Sequence, residues 1–295
     1  MQVLQGSLVA LVTPLLKDGD VDYESLSSLI DWHIDNGTDG VVSVGTTGES
    51  ATLNIKEHIE VIDFTIKYVQ NRIPVIAGTG ANSTEEAIEL SLEAKLKGAD
   101  YVLLVTPYYN KPNQKGLLAH YEKIANSVDI EQILYNVPSR TACDLKPETV
   151  KILSEHKNIV GLKEAVDDIE RIKEMVKISN NAANFAILSG DDPTFMSALL
   201  EGAHGVISVA ANVVPKSISQ ICKCIRDNNF EEAKKLNEIN NNLYRLLFVE
   251  SNPIPVKWML NKMAKIESSI RLPLIELDET YHDEILSELN KLKLI

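Results

Sequence analysis

Three cysteines among 295 residues are too few, and too oddly spaced, for a disulfide framework or a thiolate metal site. Cys222 and Cys224 stand two apart in a predicted helix and face different directions, so they and Cys143 read as reduced structural thiols. Histidine is also sparse: six scattered residues with no H-E-x-x-H pattern give no reason to expect a metal site. Positive charge is in deficit, with 29 Lys and Arg against 42 Asp and Glu, a net charge of -13. That balance argues against nucleic acid or an anionic membrane surface as partner, since both need clustered cations. The first residues, MQVLQGSLVALVTPLLKDGD, carry no positively charged leader, and their apolar stretch is broken by Thr13 and Pro14. A cytoplasmic location is the expectation. Low-complexity linkers are missing too, as is any internal repeat beyond a strand-helix unit.

What is present is a rhythm. Short β-branched runs recur eight times: SLVALVTP from Ser7, GVVSVG from Gly40, PVIAGTG from Pro74, YVLLVTP from Tyr101, QILYNVP from Gln132, IVGLKEA from Ile159, FAILSGD from Phe185 and GVISVAA from Gly205. Between them lie segments with apolar residues at spacings of three and four, such as YESLSSLIDWHIDNG, KEHIEVIDFTIKYVQ, STEEAIELSLEAKLKG and PETVKILSEH. STEE and KPETV start with N-terminal helix chemistry, and NG and KG supply terminating glycines. Strict alternation implies parallel strands with helices outside. An open doubly wound sheet is the rival, but eight units at intervals of roughly 20 to 35 residues favour a closed (β/α)8 TIM barrel. The barrel is predicted over residues 1–225, followed by a helical C-terminal region over 226–295 punctuated by NPIP at Asn252 to Pro255.

Each run is apolar at its start and polar at its finish: Thr13, Thr46-Thr47-Glu49, Thr79 with Asn82, Thr106 with Tyr108-Tyr109, Tyr135-Asn136, Lys163-Glu164, Ser189 with Asp191, and Ser208 with Asn212. In a barrel these finishes share the C-terminal face, where barrel active sites are built. Lys163 in NIVGLKEAV is the most informative of them. As a bland feature it is a snorkelling side chain or half of a buried ion pair. Glu164 cannot be its partner within the strand, because adjacent strand residues point to opposite faces. As a reactive group, a desolvated lysine has a lowered pKa, and its free amine attacks ketones to give an imine that acts as an electron sink. Tyr135, one strand earlier, is placed to shuttle protons, and the GTTGES turn at residues 45–50 can face an anion with backbone amides. Each feature alone has an ordinary structural reading.

Together and in this order, GTTGE, TPYYN, YNVPSRT and GLKEA, continued by LSGDD, GVISVAAN and NPIPVKW, resemble the dihydrodipicolinate synthase and N-acetylneuraminate lyase superfamily from end to end. Within it the chain is similar to the dihydrodipicolinate synthase branch of lysine and diaminopimelate biosynthesis. The resemblance implies that Lys163 forms an imine with pyruvate, whose enamine attacks the aldehyde of L-aspartate 4-semialdehyde, with no cofactor. It implies a proton relay of Tyr135, Thr46 and Tyr109, with Tyr109 entering from a neighbouring subunit of a homotetramer. Thr47, Gly190 and Ile207 match pyruvate-pocket positions, and Arg140 matches a carboxylate holder for the semialdehyde. Ser50, Ala51, His58, Asn82, Glu86 and Tyr108 match an allosteric site for L-lysine, whereas Ile55 departs from the His of some inhibited members. An ordinary reading of His58 and Glu86 is that they are helix-surface polar residues. Two alternatives remain open at this level: a pyruvate lyase acting on sialic or 2-keto-3-deoxy sugar acids, and a barrel kept as a binding protein. Val166-Asp167, after GLKEA, departs from the common Ser or Thr then Gly and leaves the shape of that loop open.

Overall fold

The structure is a computed structural model that describes residues 3–295. Eight strands form the expected closed parallel barrel in chain order: β1 Gly6–Ala10, β2 Gly40–Ser43, β3 Val75–Gly78, β4 Tyr101–Val105, β5 Glu131–Asn136, β6 Ile159–Glu164, β7 Ala186–Ser189 and β8 Gly205–Ser208. β8 closes on β1 with Leu8 beside Ile207. All eight lie where the β-branched runs predict.

The strands are apolar on both faces because each face is buried by a different layer. Successive side chains alternate between the layers. Leu8, Val42, Ile76, Leu103, Ile133, Leu188 and Ile207 fill the barrel interior. Val9, Val41, Leu104, Leu134, Leu162, Ile187 and Val206 face outward beneath the helices. Burying one such side chain contributes about 1.5–3 kcal/mol, so the alternation fixes the register strongly.

Helices cover the outside: Tyr23–Asp35, Ile55–Val69, Thr84–Lys97 and Gln114–Ser127 after the first four strands, then Pro147–Leu153, Ile169–Ser179, Phe195–Leu200 and Pro215–Arg226. Ser83 caps its helix by accepting from the Glu86 amide, and Gly98 ends it at φ 98, as the sequence signals imply. A full capping box between Asn54 and Glu57 opens the second helix, one turn of chemistry that lies just before the KEHIE pattern. The apolar pattern running from Lys216 to Phe248 is two helices, Pro215–Arg226 and Phe230–Leu246, because Asn228 adopts φ 58 and ends the first. Helices Ile254–Lys262 and His282–Lys291 complete the chain. No helix among the described residues is long and apolar enough to cross a membrane. The residues after Arg226 run back to the barrel mouth, where Phe248 to Asn252 form one wall of a cavity.

Candidate active site

β5 and β6 pair in a register that sets Tyr135 beside Lys163, with an irregularity at Gln132 and Ile133 that produces this alignment. Register partners in a parallel pair share a face, and here the face is the barrel interior. The Lys163 ammonium nitrogen lies 4.3 Å from the centre of the Tyr135 ring. Both open onto a cavity of about 690 Å³ at the C-terminal ends of the strands. Lys163 is 5% exposed; burial lowers its pKa, the buried Asp192 opposes that, Arg140 adds to it, and together they bring it down to about 8. The Tyr135 phenol moves the other way. Burial pushes it up to about 12, while Arg140 and the neighbouring Thr46 favour its ionised form.

Glu164 is not part of this cavity, although its place at a strand finish puts it on the expected rim. It points outward, fully buried, and receives Arg171 Nε at 2.7 Å, Asn136 Nδ2 at 3.0 Å and the Val166 amide at 3.1 Å. Arg171 also binds Asp144 at 2.8 Å, and Asn136 accepts from the Leu145 amide at 2.8 Å. Asn136, likewise a strand finish, therefore holds β5 to β6 from behind. The bond from Val166 to Glu164 closes the loop after Lys163 whose shape the sequence leaves open. Asn212 is structural too: it accepts from the Val12 amide at 3.1 Å and donates to Ala10 at 2.8 Å, tying the end of β8 to β1.

The cavity gathers Lys163, Tyr135, Thr46, Thr47, Arg140 and Gly190. Gly190 has a steric reason for its identity. A Cβ there would stand 2.9 Å from Lys163 Cε and 3.0 Å from Ala165 Cβ, so the lysine stem lies where any larger residue would intrude. Thr47 is buried and accepts from Asn252 Nδ2 at 3.0 Å through its hydroxyl. The turn carrying both threonines starts from Val44 at φ 55, a conformation that costs a β-branched residue on the order of 1–3 kcal/mol. Gly78 makes that backbone possible, since a Cβ at this position would lie 2.3 Å from the Val44 carbonyl oxygen. Arg140 sits exposed at the mouth in the short turn Pro138–Thr141.

Two expected residues lie elsewhere. Ile207 belongs to the apolar filling of the barrel, and Val209 takes the wall position two residues on. Tyr109 is 89% exposed at φ 71 in the loop after β4 and does not line this chain's cavity. Of the residues matched to an effector site, Asn82, Glu86 and Tyr108 lie together, and none of the six lines the cavity. Asn82 Nδ2 donates to the Tyr108 carbonyl at 3.2 Å, and burial followed by Glu86 raises the Tyr108 phenol pKa. His58 is not a surface residue: it is 6% exposed, donates from Nε2 to the Gly78 carbonyl at 2.7 Å, and burial lowers its pKa. Ser50, half-buried, and Ala51, exposed, follow the threonine turn.

Asp192 is a buried contributor next to the strand finish Ser189 with Asp191, and is not itself among the finishes named from the sequence. It accepts from Ser208 Oγ at 2.6 Å and from the amides of Ala210 at 2.8 Å and Val209 at 3.0 Å, and burial lifts its pKa to about 6. The signal for it was present in SGDD, but nothing local says which of two adjacent aspartates turns inward.

The chain is similar to known proteins along nearly its whole length. A 4-hydroxy-tetrahydrodipicolinate synthase of Psychrobacter sp. (strain PRwf-1) is 52% identical over 282 residues, covering 96% of this chain and 93% of that protein. The crystal structure of the chloride-inhibited dihydrodipicolinate synthase from Acinetobacter baumannii complexed with pyruvate superposes with a TM-score of 0.96 at 50% identity, covering 99% of each chain. The enzyme from Cyanidioschyzon merolae with lysine bound gives 0.94 at 36% identity over the full length of both chains. The model of the Dihydrodipicolinate synthetase family matches residues 3–292, and by that match and by identity above one half along nearly its whole length, the chain belongs to this family.

Proposed function

We propose that the chain condenses pyruvate with L-aspartate 4-semialdehyde to give 4-hydroxy-tetrahydrodipicolinate. The observation that carries this reading is the pairing of Lys163 and Tyr135 on adjacent strands of one cavity, with Arg140 at its mouth. The uncharged Lys163 amine adds to the ketone carbon of pyruvate, and loss of water leaves an imine. Tyr135, uncharged at working pH, passes the protons of addition and dehydration. The backbone and hydroxyls of the Thr46-Thr47 turn receive the pyruvate carboxylate. Loss of a methyl proton gives an enamine, whose carbon bonds to the aldehyde carbon of the second substrate. Arg140 holds that substrate's carboxylate in a two-point contact. Its amine then attacks the imine carbon, closing the ring and returning Lys163 free. Tyr109, exposed here, serves the site of a neighbouring copy and extends the relay there, in a homotetramer.

Sodium borohydride added with pyruvate is expected to add a pyruvyl-derived group at Lys163, read by peptide mass spectrometry. Steady-state rates should show turnover with L-aspartate 4-semialdehyde and none with N-acetylneuraminate. A folded protein that gives no adduct would make Lys163 structural and move the binding-protein reading forward.

L-lysine is the proposed effector, bound by Ser50, Ala51, His58, Asn82, Glu86 and Tyr108. The support is the half-buried Glu86 carboxylate beside Tyr108, which suits an ammonium group, and the lysine held by the Cyanidioschyzon merolae structure. Millimolar L-lysine is expected to slow the condensation; an unchanged rate would reject this effector.

A further inference from the structure

Behind the threonine turn, on the side away from the cavity, the structure holds an ion pair with no place in the chemistry above. Glu49 adopts φ 58 and is 4% exposed, and its carboxylate receives the ammonium of Lys257, also 4% exposed. The other carboxylate oxygen accepts the Arg271 backbone amide at 3.2 Å. The Arg271 guanidinium spans the same turn from outside, donating to Gly19 at 2.7 Å, to the Thr52 carbonyl at 3.0 Å and to Glu57 at 2.6 Å. Lys257 lies in the first turns of the helix that begins just after Asn252, which itself donates to Thr47 within the cavity. The turn is thus tied to the C-terminal segment at two points, one inside the cavity and one behind it.

A buried ion pair contributes little net stability, because desolvating two charges offsets most of their attraction. What it supplies is direction: two charges with no water to turn to accept few arrangements. Val44 and Glu49, at either end of the turn, both have positive φ, so the turn needs an outside restraint to hold its amides in one orientation.

We infer that Glu49, Lys257 and Arg271 are positioning residues that fix the Thr46-Thr47 turn as the receiver of the substrate carboxylate, so that Lys163 meets the ketone in the right orientation. This rests on the reading of Lys163 as the imine-forming residue. None of the three touches the reacting atoms. Their effect is specific to carbonyl compounds that carry a carboxylate, and Lys163 itself is unaltered by their loss.

That specificity gives the test. In the double variant Glu49→Gln/Lys257→Met the charges disappear together, leaving no unpaired buried ion. Wild type and variant are incubated with sodium cyanoborohydride and either pyruvate or acetone, and adduct formation at Lys163 is followed by peptide mass spectrometry. The variant is expected to lose roughly tenfold or more in trapping rate with pyruvate, as misplaced binding groups do, and to match wild type with acetone. The ratio of the two rates is the readout, and a merely structural pair would lower both together. An unchanged ratio in a variant whose wild-type parent traps pyruvate would overturn the clamp and leave the imine reading standing. Failure of wild type to trap pyruvate would overturn the imine reading and the clamp with it. If the double variant does not fold, Arg271→Gln, which removes the part-exposed brace and leaves the buried Glu49–Lys257 pair intact, takes the same measurement, and an unchanged ratio again overturns the proposal.

Discussion

Lys163→Met is expected to abolish condensation and, at neutral pH, to make the protein more stable. The loss of activity should be at least about a thousandfold, because the covalent route disappears with the amine. The gain in stability follows from the pKa. In the fold Lys163 titrates near 8, below its ordinary value of 10.5, because burial disfavours the ammonium. The unfolded chain therefore binds the proton more tightly than the folded one. Below about pH 8 the folded protein carries the whole cost of a buried ammonium; the cost fades between 8 and 10.5 and is gone above. The gap corresponds to about 3 kcal/mol at most, an order-of-magnitude figure. Urea midpoints of wild type and Lys163→Met at pH 7 and pH 10.5 check it, with the variant ahead at pH 7 and the difference small at pH 10.5. A variant less stable at pH 7 would mean that the ammonium is compensated after all. The same displacement sets reactivity: at pH 7 about one lysine in ten is free amine with a pKa near 8, against fewer than one in a thousand at 10.5.

Tyr135→Phe should lower kcat by roughly 100 to 10,000-fold, the range for removing a placed proton carrier, with little change in the unfolding midpoint. The ring fills the barrel interior and survives the substitution; only the hydroxyl goes. With its pKa pushed up to about 12 the phenol is protonated across the working range, so it donates first and is reprotonated afterwards. Arg140 and Thr46 work against burial and keep the phenolate within reach during transfer. Imine trapping at Lys163 should slow in the variant and persist, since the amine remains. A fall of less than tenfold in kcat would reduce Tyr135 to packing.

The architecture was legible because two signals agree: β-branched runs mark the strands, and their number closes the sheet. Period-two alternation says that only one of Lys163 and Glu164 looks inward; the structure makes it Lys163, beside Tyr135 in the cavity, and gives Glu164 to Arg171 on the other face. The same alternation, had it been applied to every strand finish, would have removed Asn136 and Glu164 from the rim. His58 was harder, because a polar residue on a helix face gives no sign that its ring reaches the Gly78 carbonyl. Contacts such as Lys257 to Glu49 and Arg271 to Glu57 join residues more than two hundred positions apart. No local pattern encodes which carboxylate meets which distant cation. Tyr109 marks another boundary: a single chain displays it in solvent, and its use depends on what packs there.

The cavity wall drawn from Phe248 to Asn252 separates two kinds of completeness. Eight strands and their helices close geometrically by Arg226, yet the pocket they frame stays open on one side until the chain has travelled on and returned. Exchanging the last seventy or so residues between homologous chains would transplant part of a binding site along with what resembles a mere appendage, so crossover points for chimaeras belong before β1 or after Leu277, and not at the barrel's apparent end.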